Sequence, residues 1–236
     1  VRRAGATLIE AIFRFETTEG RGSGVLRLVP HSADEGRYVA WTVLTALDEL
    51  KGWEDKVGER RPRGDSYSRN FGGDNWQDLR DADRAYDDHD PTVIVVGGGQ
   101  AGLAIAARLR QLDVDTLIVE RHERIGDNWR KRYHSLTLHN EVHVNHLPYM
   151  PFPETWPAFI PKDKLAGWFE AYVEAMELNA WTSTAFLGGD YDDAANRWRV
   201  RLRRADGSER IMHPRHVIMA VGVSGLPQKP DLSGLE

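Results

Sequence analysis

The sequence predicts an α/β fold in which a parallel sheet with helices follows a smaller antiparallel β unit. Residues 93–110, VIVVGGGQAGLAIAARLR, join four β-branched residues to a glycine turn and then to an alanine- and leucine-rich stretch. That order is typical of a strand, a turn and a helix. Residues 6–49 instead hold three apolar stretches divided by turn-rich connectors. At about 150 residues per domain, 236 residues correspond to one large domain or two small ones.

The first 53 residues predict three strands, at 6–16, 23–29 and 37–49. In the second strand, Val25, Arg27 and Val29 fall on one face. The connectors GRGSG (20–24) and HSADEG (31–36) are rich in turn-forming residues, so we interpret both as loops of an antiparallel meander. Residues 54–90 are charged and glycine-rich without periodic apolar spacing, which predicts a linker.

Residues 91–236 predict a second domain with three buried strands, at 92–96, 116–120 and 215–221. Helices are expected at 100–111 and 162–178, the latter from apolar residues spaced along one helical face. The turn Asp206-Gly207 predicts a hairpin between 198–204 and 209–213.

The glycine turn fits the pattern G-x-G-x-x-G at Gly97, Gly99 and Gly102, between a strand and a helix. Gly97 allows a tight turn, Gly99 lets a pyrophosphate approach the backbone, and Gly102 allows close packing of helix on sheet. The helix N-terminus offers unpaired N–H groups to phosphates. An ordinary strand–helix turn with chance glycines is the alternative. The full set of strand, turn, helix and second strand favours a Rossmann-type dinucleotide site.

The second strand of this unit ends in an acidic residue, Glu120. A carboxylate here accepts hydrogen bonds from a ribose diol and repels a 2′-phosphate. The site is therefore predicted to prefer FAD or NAD over NADP.

The segment after Glu120 resembles the flavin-containing monooxygenases and the related plant YUCCA-type enzymes. Three groups of residues carry the resemblance. They are Gly126-Asp127-Asn128-Trp129, then Tyr133, Leu136, Leu138 and Pro151-Phe152-Pro153, and finally Ala220-Val221-Gly222 followed by SGLPQKPDLSG (224–234). The resemblance covers about residues 91–236 and implies a Rossmann-type FAD-binding domain with a parallel sheet. One departure is Val221, which stands where the family has threonine.

The glycine motif and the resemblance together assign the site. Predicted cofactor contacts are Gly97, Gly99, Gln100, Ala101, Gly102, Glu120, Arg121, Asn128, Trp129, Arg130, Leu138, Ala220 and Gly222. The catalytic candidates are His139 and Asn140, because many family members place an asparagine, and the plant-type members a histidine, near the reactive edge of the flavin. His139, His143 and His146 form no familiar metal-ligand pattern, and no metal is predicted.

The resemblance also implies the reaction. In the family, NADPH (or NADH) reduces FAD, and a flavin C4a-(hydro)peroxide oxygenates a small organic substrate with O2. The family's second dinucleotide motif is expected after Glu236, so we expect this chain to be the FAD part and inactive alone. Residues 1–53 resemble the last strands of an NTF2-like (SnoaL-like) α+β domain. Substrate, reaction type and NADPH-or-NADH preference stay open.

Two other functions remain open. One is an FAD-dependent pyridine-nucleotide oxidoreductase without oxygenation, such as a disulfide reductase, which the absence of cysteine disfavours. The other is a non-catalytic nucleotide-binding module. A net charge of −5 argues against a nucleic-acid partner, and no apolar run approaches a membrane span. The sequence predicts a cytoplasmic protein and leaves a homo-oligomeric state open.

Overall fold

The structure is a computed structural model that describes residues 1–33, 36–63, 72–223, 225 and 234. The chain divides into two compact units, Val1–Arg61 and Pro62–Glu236, and each is described by itself. Among the described residues, no helix has the length and apolar character needed to cross a membrane.

The first unit is an antiparallel β structure. Its strands are β1 (Arg2–Arg3), β2 (Ala6–Thr7), β3 (Ile9–Glu16), β4 (Gly20–Pro30) and β5 (Tyr38–Leu50), followed by a 3-10 turn at Gly58–Arg60. β1 pairs with β2, and the three longer strands form a sheet in the order β3-β4-β5. The predicted three-stranded meander is therefore confirmed.

The prediction that Gly20–Gly24 forms a hairpin loop is wrong, because these residues are the first half of β4. A Cβ on Gly22 would lie 2.4 Å from the ring of Phe15, and one on Gly24 would lie 2.4 Å from the ring of Phe13. The two rings of β3 lie over the bare backbone of the neighbouring strand. These glycines therefore make room for cross-strand aromatic rings, a role glycine takes inside strands where another group approaches closely.

The second unit alternates strands and helices. Its helices are α1 (Trp76–Ala85), α2 (Gln100–Gln111), α3 (Asp127–Arg130) and α4 (Lys162–Ala175), with a 3-10 turn at Val142–Val144. Its strands are β6 (Val93–Val96), β7 (Thr116–Val119), β8 (Thr137–Glu141), β9 (Phe159–Pro161), β10 (Asn179–Trp181), β11 (Ala185–Asp192), β12 (Arg197–Arg203), β13 (Glu209–Met212) and β14 (His216–Met219).

A four-stranded parallel sheet in the order β10-β7-β6-β14 lies at the centre of this unit. All four residues of β6 and of β7 are buried. Val95 and Ile118 belong to a core cluster that includes α2 and α4, whereas Ile94 and Leu117 pack with residues of β12. A sheet covered on both faces explains why these strands are apolar at every position. The predicted parallel α/β architecture is confirmed.

The antiparallel sheet β11-β12-β13 contains the predicted hairpin, with Gly207 at a φ of +84° in its turn. Strands β10 and β11 were not predicted. Two glycines, Gly188 and Gly189, interrupt the apolar pattern of β11 at a register shift. β10 has only three residues. Both features weaken the alternation by which strands are recognised.

Helix α1 lies inside the segment predicted as a linker. Asn75 and Asp78 form a capping box, in which Asn75 accepts from the N–H groups of Gln77 and Asp78, and Asp78 accepts from the N–H of Asn75. The helix ends at Tyr86, whose φ of +53° turns the chain. α1 has no buried residue, and the charged residues that dominate its sequence favour a linker over a helix.

A buried polar network joins the end of α1 to the parallel sheet. The hydroxyl of Tyr86 donates to Asp115 over 2.7 Å and accepts from the Asn179 amide over 3.0 Å. That amide also donates to Asp83 over 3.0 Å. Burial raises the pKa of Tyr86 above its ordinary value, so the phenol stays protonated as a donor.

Replacement of Tyr86 by phenylalanine should destabilise the second unit. Tyr86 is fully buried, and the change removes one partner from the half-buried Asp115 carboxylate and one from the buried Asn179 amide. The expected loss is about 1–3 kcal/mol in the free energy of unfolding, measured by urea denaturation. The control is Tyr133→Phe at a side chain that is 66% exposed, where less than about 0.5 kcal/mol is expected. Equal stabilities for the two variants would contradict the role of the network.

Candidate cofactor-binding site

The glycine turn between β6 and α2 has no room for side chains. Gly97 has a φ of +109°, and a Cβ on it would lie 2.6 Å from the carbonyl oxygen of Ala220. A Cβ on Gly102 would lie 1.9 Å from the carbonyl oxygen of Gly97. Any side chain at either position would therefore separate α2 from the sheet or break the turn.

The N-terminus of α2 is open to an anion. Gly99 is the N-cap and offers no side chain to the first N–H groups of the helix, and the first turn holds no acidic residue. Gln100 and Ala101 are exposed, so their side of the first turn faces solvent. Unpaired N–H groups with the positive end of the helix dipole favour a phosphate here. The Asn128 amide would lie 3.2 Å from a Cβ on Gly99, which places Asn128 at the rim of this opening.

Glu120 follows β7 directly and is buried, with 6% of its surface exposed. One carboxylate oxygen accepts from the N–H of Gly98 over 2.7 Å, and the other accepts from the N–H of His122 over 2.9 Å. These two bonds fix the carboxylate beside the glycine turn. Each oxygen keeps a further lone pair for a ligand hydroxyl.

Gly98 and His122 were missed by the sequence reasoning. The Nδ1 atom of His122 lies 2.8 Å from the nearer oxygen of Glu120, but at an angle unsuited to a hydrogen bond. Among the described residues, this buried nitrogen has no hydrogen-bond partner. Both residues act through their backbone N–H groups, which every residue except proline has. Their residue types therefore gave no signal, and their closeness in sequence to Gly97 and Glu120 was the one clue available.

Helix α3 is fixed by ion pairs. The Arg130 guanidinium donates to the Ile125 carbonyl over 2.8 Å, to Asp127 over 3.0 Å and to Glu170 over 2.6 Å. The donors of Arg130 are therefore used within the protein. This supports a role in positioning α3, in addition to the cofactor contact predicted from the sequence. Burial alone would raise the pKa of Asp127, but hydrogen bonds from Arg130 and Lys131 outweigh it and hold the pKa below its ordinary value.

Three predicted cofactor contacts, Trp129, Leu138 and Ala220, pack against the same core cluster as α2 and α4. The Nε1 atom of Trp129 is buried and has no hydrogen-bond partner among the described residues. A buried indole N–H ordinarily finds a partner. The Trp129 N–H has no acceptor within the described chain, which fits an acceptor atom supplied by a bound ligand.

The remaining predicted residues are spread more widely. Arg121 donates to the carbonyl of Gly225 over 2.6 Å, and Gly222 is exposed at a φ of +74°. His139 and Asn140 are exposed on β8, and their catalytic role stays a prediction. Most of the segment 224–234 lies outside the described residues.

The residues present fit a dinucleotide. A bare turn, an uncapped helix N-terminus and a buried carboxylate at the end of the neighbouring strand supply sites for a pyrophosphate and a ribose. Gly97, Gly99 and Gly102 would lie along the pyrophosphate, Glu120 at the ribose, and Asn128 at the rim.

Comparison with known proteins agrees with this geometry. Residues 95–153 match the NAD(P)-binding Rossmann-like domain family. The second unit contains a Rossmann-like domain. The chain is 35% identical over 147 residues to indole-3-pyruvate monooxygenase YUCCA1 of Oryza sativa subsp. japonica, a match that covers 62% of this chain and 35% of the relative. The chain thus spans about a third of the length of that relative.

Solved structures show the same fold. A variant flavin monooxygenase from Stenotrophomonas maltophilia is similar at a TM-score of 0.54 and 25% identity, covering 62% of this chain and 43% of that one. A bacillithiol disulfide reductase from Bacillus cereus is similar at a TM-score of 0.51 and 18% identity, covering 55% and 39%. The second likeness concerns the fold alone. The predicted similarity of the Rossmann-like domain to flavin monooxygenases is confirmed.

Replacement of Gly102 by alanine should destabilise the Rossmann-like domain by about 1–3 kcal/mol, because its Cβ would overlap the Gly97 carbonyl. The matched control is Gly167→Ala in α4, where a Cβ meets nothing within 4 Å. The control should gain about 0.5–1 kcal/mol, since alanine favours helix over glycine. Urea denaturation measures both variants. A Gly102→Ala protein as stable as its parent would show that α2 does not pack as described.

Asp127 should contribute a pH-dependent part of the stability. Its pKa is lowered in the folded state, so its contribution is present above the unfolded value of about 4 and is lost as pH falls through the folded value. Asp127→Asn should lower the thermal midpoint at pH 7, and the difference from the parent should shrink from about pH 4 downward. The control is Asp193→Asn on an exposed turn. A difference for Asp127→Asn that stays constant from neutral to acidic pH would disprove the ion-pair role.

Proposed function

We propose that the second unit binds FAD and is the FAD-binding part of an NAD(P)H-dependent flavin monooxygenase. The observation that carries this proposal is the uncapped α2 N-terminus beside the buried carboxylate of Glu120. Its support beyond the site is the 35% identity to a YUCCA monooxygenase over most of this unit. The proposal needs both the site geometry and the sequence identity, because a disulfide reductase shares the fold.

The residues of this chain hold and orient the cofactor. The N–H groups of Gln100 and Ala101 at the uncapped start of α2 would hold the pyrophosphate. Glu120, held in place by the N–H groups of Gly98 and His122, would accept hydrogen bonds from the adenosine ribose. A buried carboxylate disfavours a 2′-phosphate at this position, which selects FAD over NADP here.

Bound FAD supplies the redox chemistry with O2, and the protein supplies binding, orientation and shielding from water. Trp129 and Leu138 pack on the core beside α2, where they would cover the cofactor on its protein side. His139 and Asn140 are proposed to face the reacting substrate, and their exposure on β8 leaves them accessible. The substrate class is a small organic molecule.

Two narrower proposals concern the rest of the chain. Residues 1–53 are proposed to be the last strands of an NTF2-like domain, which the β3-β4-β5 meander supports. A cytoplasmic location is proposed on the cysteine-free sequence.

NADPH-dependent oxygen uptake would separate an enzyme from a module that only binds a nucleotide.

The test is a visible absorption spectrum of the purified chain after FAD addition and desalting. The parent should keep a flavin spectrum, and Gly99→Glu should lose it because the new carboxylate occupies the phosphate position. Gly167→Glu is the matched control, since it adds the same charge at an open helical position and should keep the flavin.

Calorimetric titration with FAD completes this test. Gly99→Glu should bind at least about tenfold more weakly than the parent, which corresponds to about 1.4 kcal/mol. A parent without measurable FAD binding, or equal affinities for the parent and Gly99→Glu, would contradict the proposal.

A further inference from the structure

A separate open cleft of about 700 Å³ lies in the second unit. The end of α1, strand β10 and the β12–β13 turn form its walls. Within the described part of the chain, neither the glycine turn nor Glu120 lines this cleft. A ligand here would therefore be distinct from the proposed cofactor.

Two arginines lie over one indole ring in this cleft. The guanidinium carbon of Arg204 is 3.9 Å from the ring centroid of Trp181, and that of Arg210 is 5.2 Å from it. The indole N–H donates to the Arg84 carbonyl over 2.7 Å, which fixes the ring. Both cations are therefore held near one rigid surface.

Neither arginine is neutralised by a carboxylate among the described ion pairs. Arg210 donates to the carbonyls of Ala85 and Tyr86 at the end of α1, which satisfies donors but leaves the positive charge. The Nη1 atom of Arg204 is buried and has no hydrogen-bond partner in the described residues. Burial and the nearby charge of Arg210 lower the pKa of Arg204, with only Asp206 opposing them.

Acidic residues also line the cleft, but they do not compensate this pair. Asp81 forms an ion pair with Arg84. Asp87 and Glu209 are exposed, and neither forms an ion pair with Arg204 or Arg210 in the described part of the chain. Arg204 and Arg210 are thus the two cations of the cleft that have no carboxylate partner in the described ion pairs.

We propose that this cleft is a binding site for an oxyanion, a carboxylate or phosphate group of a small molecule, held between Arg204 and Arg210. Guanidinium groups suit this ligand because their planar donors match two oxygens of a carboxylate or phosphate. The indole ring orients Arg204, so that ligand binding costs little side-chain freedom. Carboxylates and phosphates share this chemistry, and the experiment distinguishes them.

The test is isothermal titration of the chain with inorganic phosphate and, separately, with acetate. Arg204→Gln should bind the preferred anion at least about tenfold more weakly than the parent. The matched control is Arg203→Gln, one residue earlier on the exposed side of β12, which should bind like the parent. Any phosphate bound at the glycine turn is common to all three proteins. The difference between variants therefore reports this cleft whether or not FAD binding is confirmed.

Tighter binding of phosphate assigns a phosphorylated ligand, and tighter binding of acetate assigns a carboxylate ligand. Arg204→Lys is a second variant in case Arg204→Gln fails to fold. Lysine keeps the positive charge but lacks the planar guanidinium donors, so we expect several-fold weaker binding than in the parent. Circular dichroism checks the fold of each protein. The proposal is overturned if neither anion binds the parent, if both Arg204 variants keep parental affinity, or if Arg203→Gln loses as much affinity as Arg204→Gln.

Discussion

The second unit depends on one steric constraint, the backbone contact between the start of α2 and the end of β6. A side chain at Gly102 would overlap the Gly97 carbonyl, and one at Gly97 would overlap the Ala220 carbonyl. Because both positions are bare, the helix begins directly above the sheet and the end of β14 closes the turn from its other side. The N–H groups at the helix start are then left for a ligand, since the protein provides no side chain to cap them.

Buried charges hold the other parts of the site relative to that contact. Glu120 is fixed by two backbone N–H groups, and its own N–H donates to the Trp181 carbonyl on β10. Asp127, Arg130 and Glu170 connect α3 to α4 in the same way. Hydrogen bonds from Arg130 and Lys131 outweigh burial and hold the pKa of Asp127 below its ordinary value, so the ion pairs of α3 persist near neutral pH. Such preorganisation lowers the entropy lost when a large cofactor binds.

The sequence could predict those parts of the fold that rest on local pattern. β6, α2 and β7 follow from an apolar run, a glycine turn and a second apolar run, because both faces of the sheet are covered. Gly20–Gly24 could not be placed correctly, since glycine favours turns locally and only the rings of Phe13 and Phe15 explain it in a strand. The sequence did not predict α1 either, because polar groups rather than apolar ones join its end to the sheet, as in the hydrogen bond between Asn179 and Tyr86. At the site, residue types identified Glu120, whereas the donors that hold it are backbone groups and are invisible in a single sequence.

The fold does not decide between the functions that remain, because a monooxygenase and a disulfide reductase share it with this chain at nearly equal TM-scores. Chemical groups other than the shared fold must distinguish a monooxygenase from a disulfide reductase. No cysteine occurs among these 236 residues, so this stretch supplies no redox-active thiol of its own. Oxygenation needs no protein thiol, because the cofactor carries the oxidising chemistry and the protein holds it away from water. The residues from α3 to β9, among them Trp129 and Leu138 on the core beside α2, are the part of this chain on which the proposed function draws most.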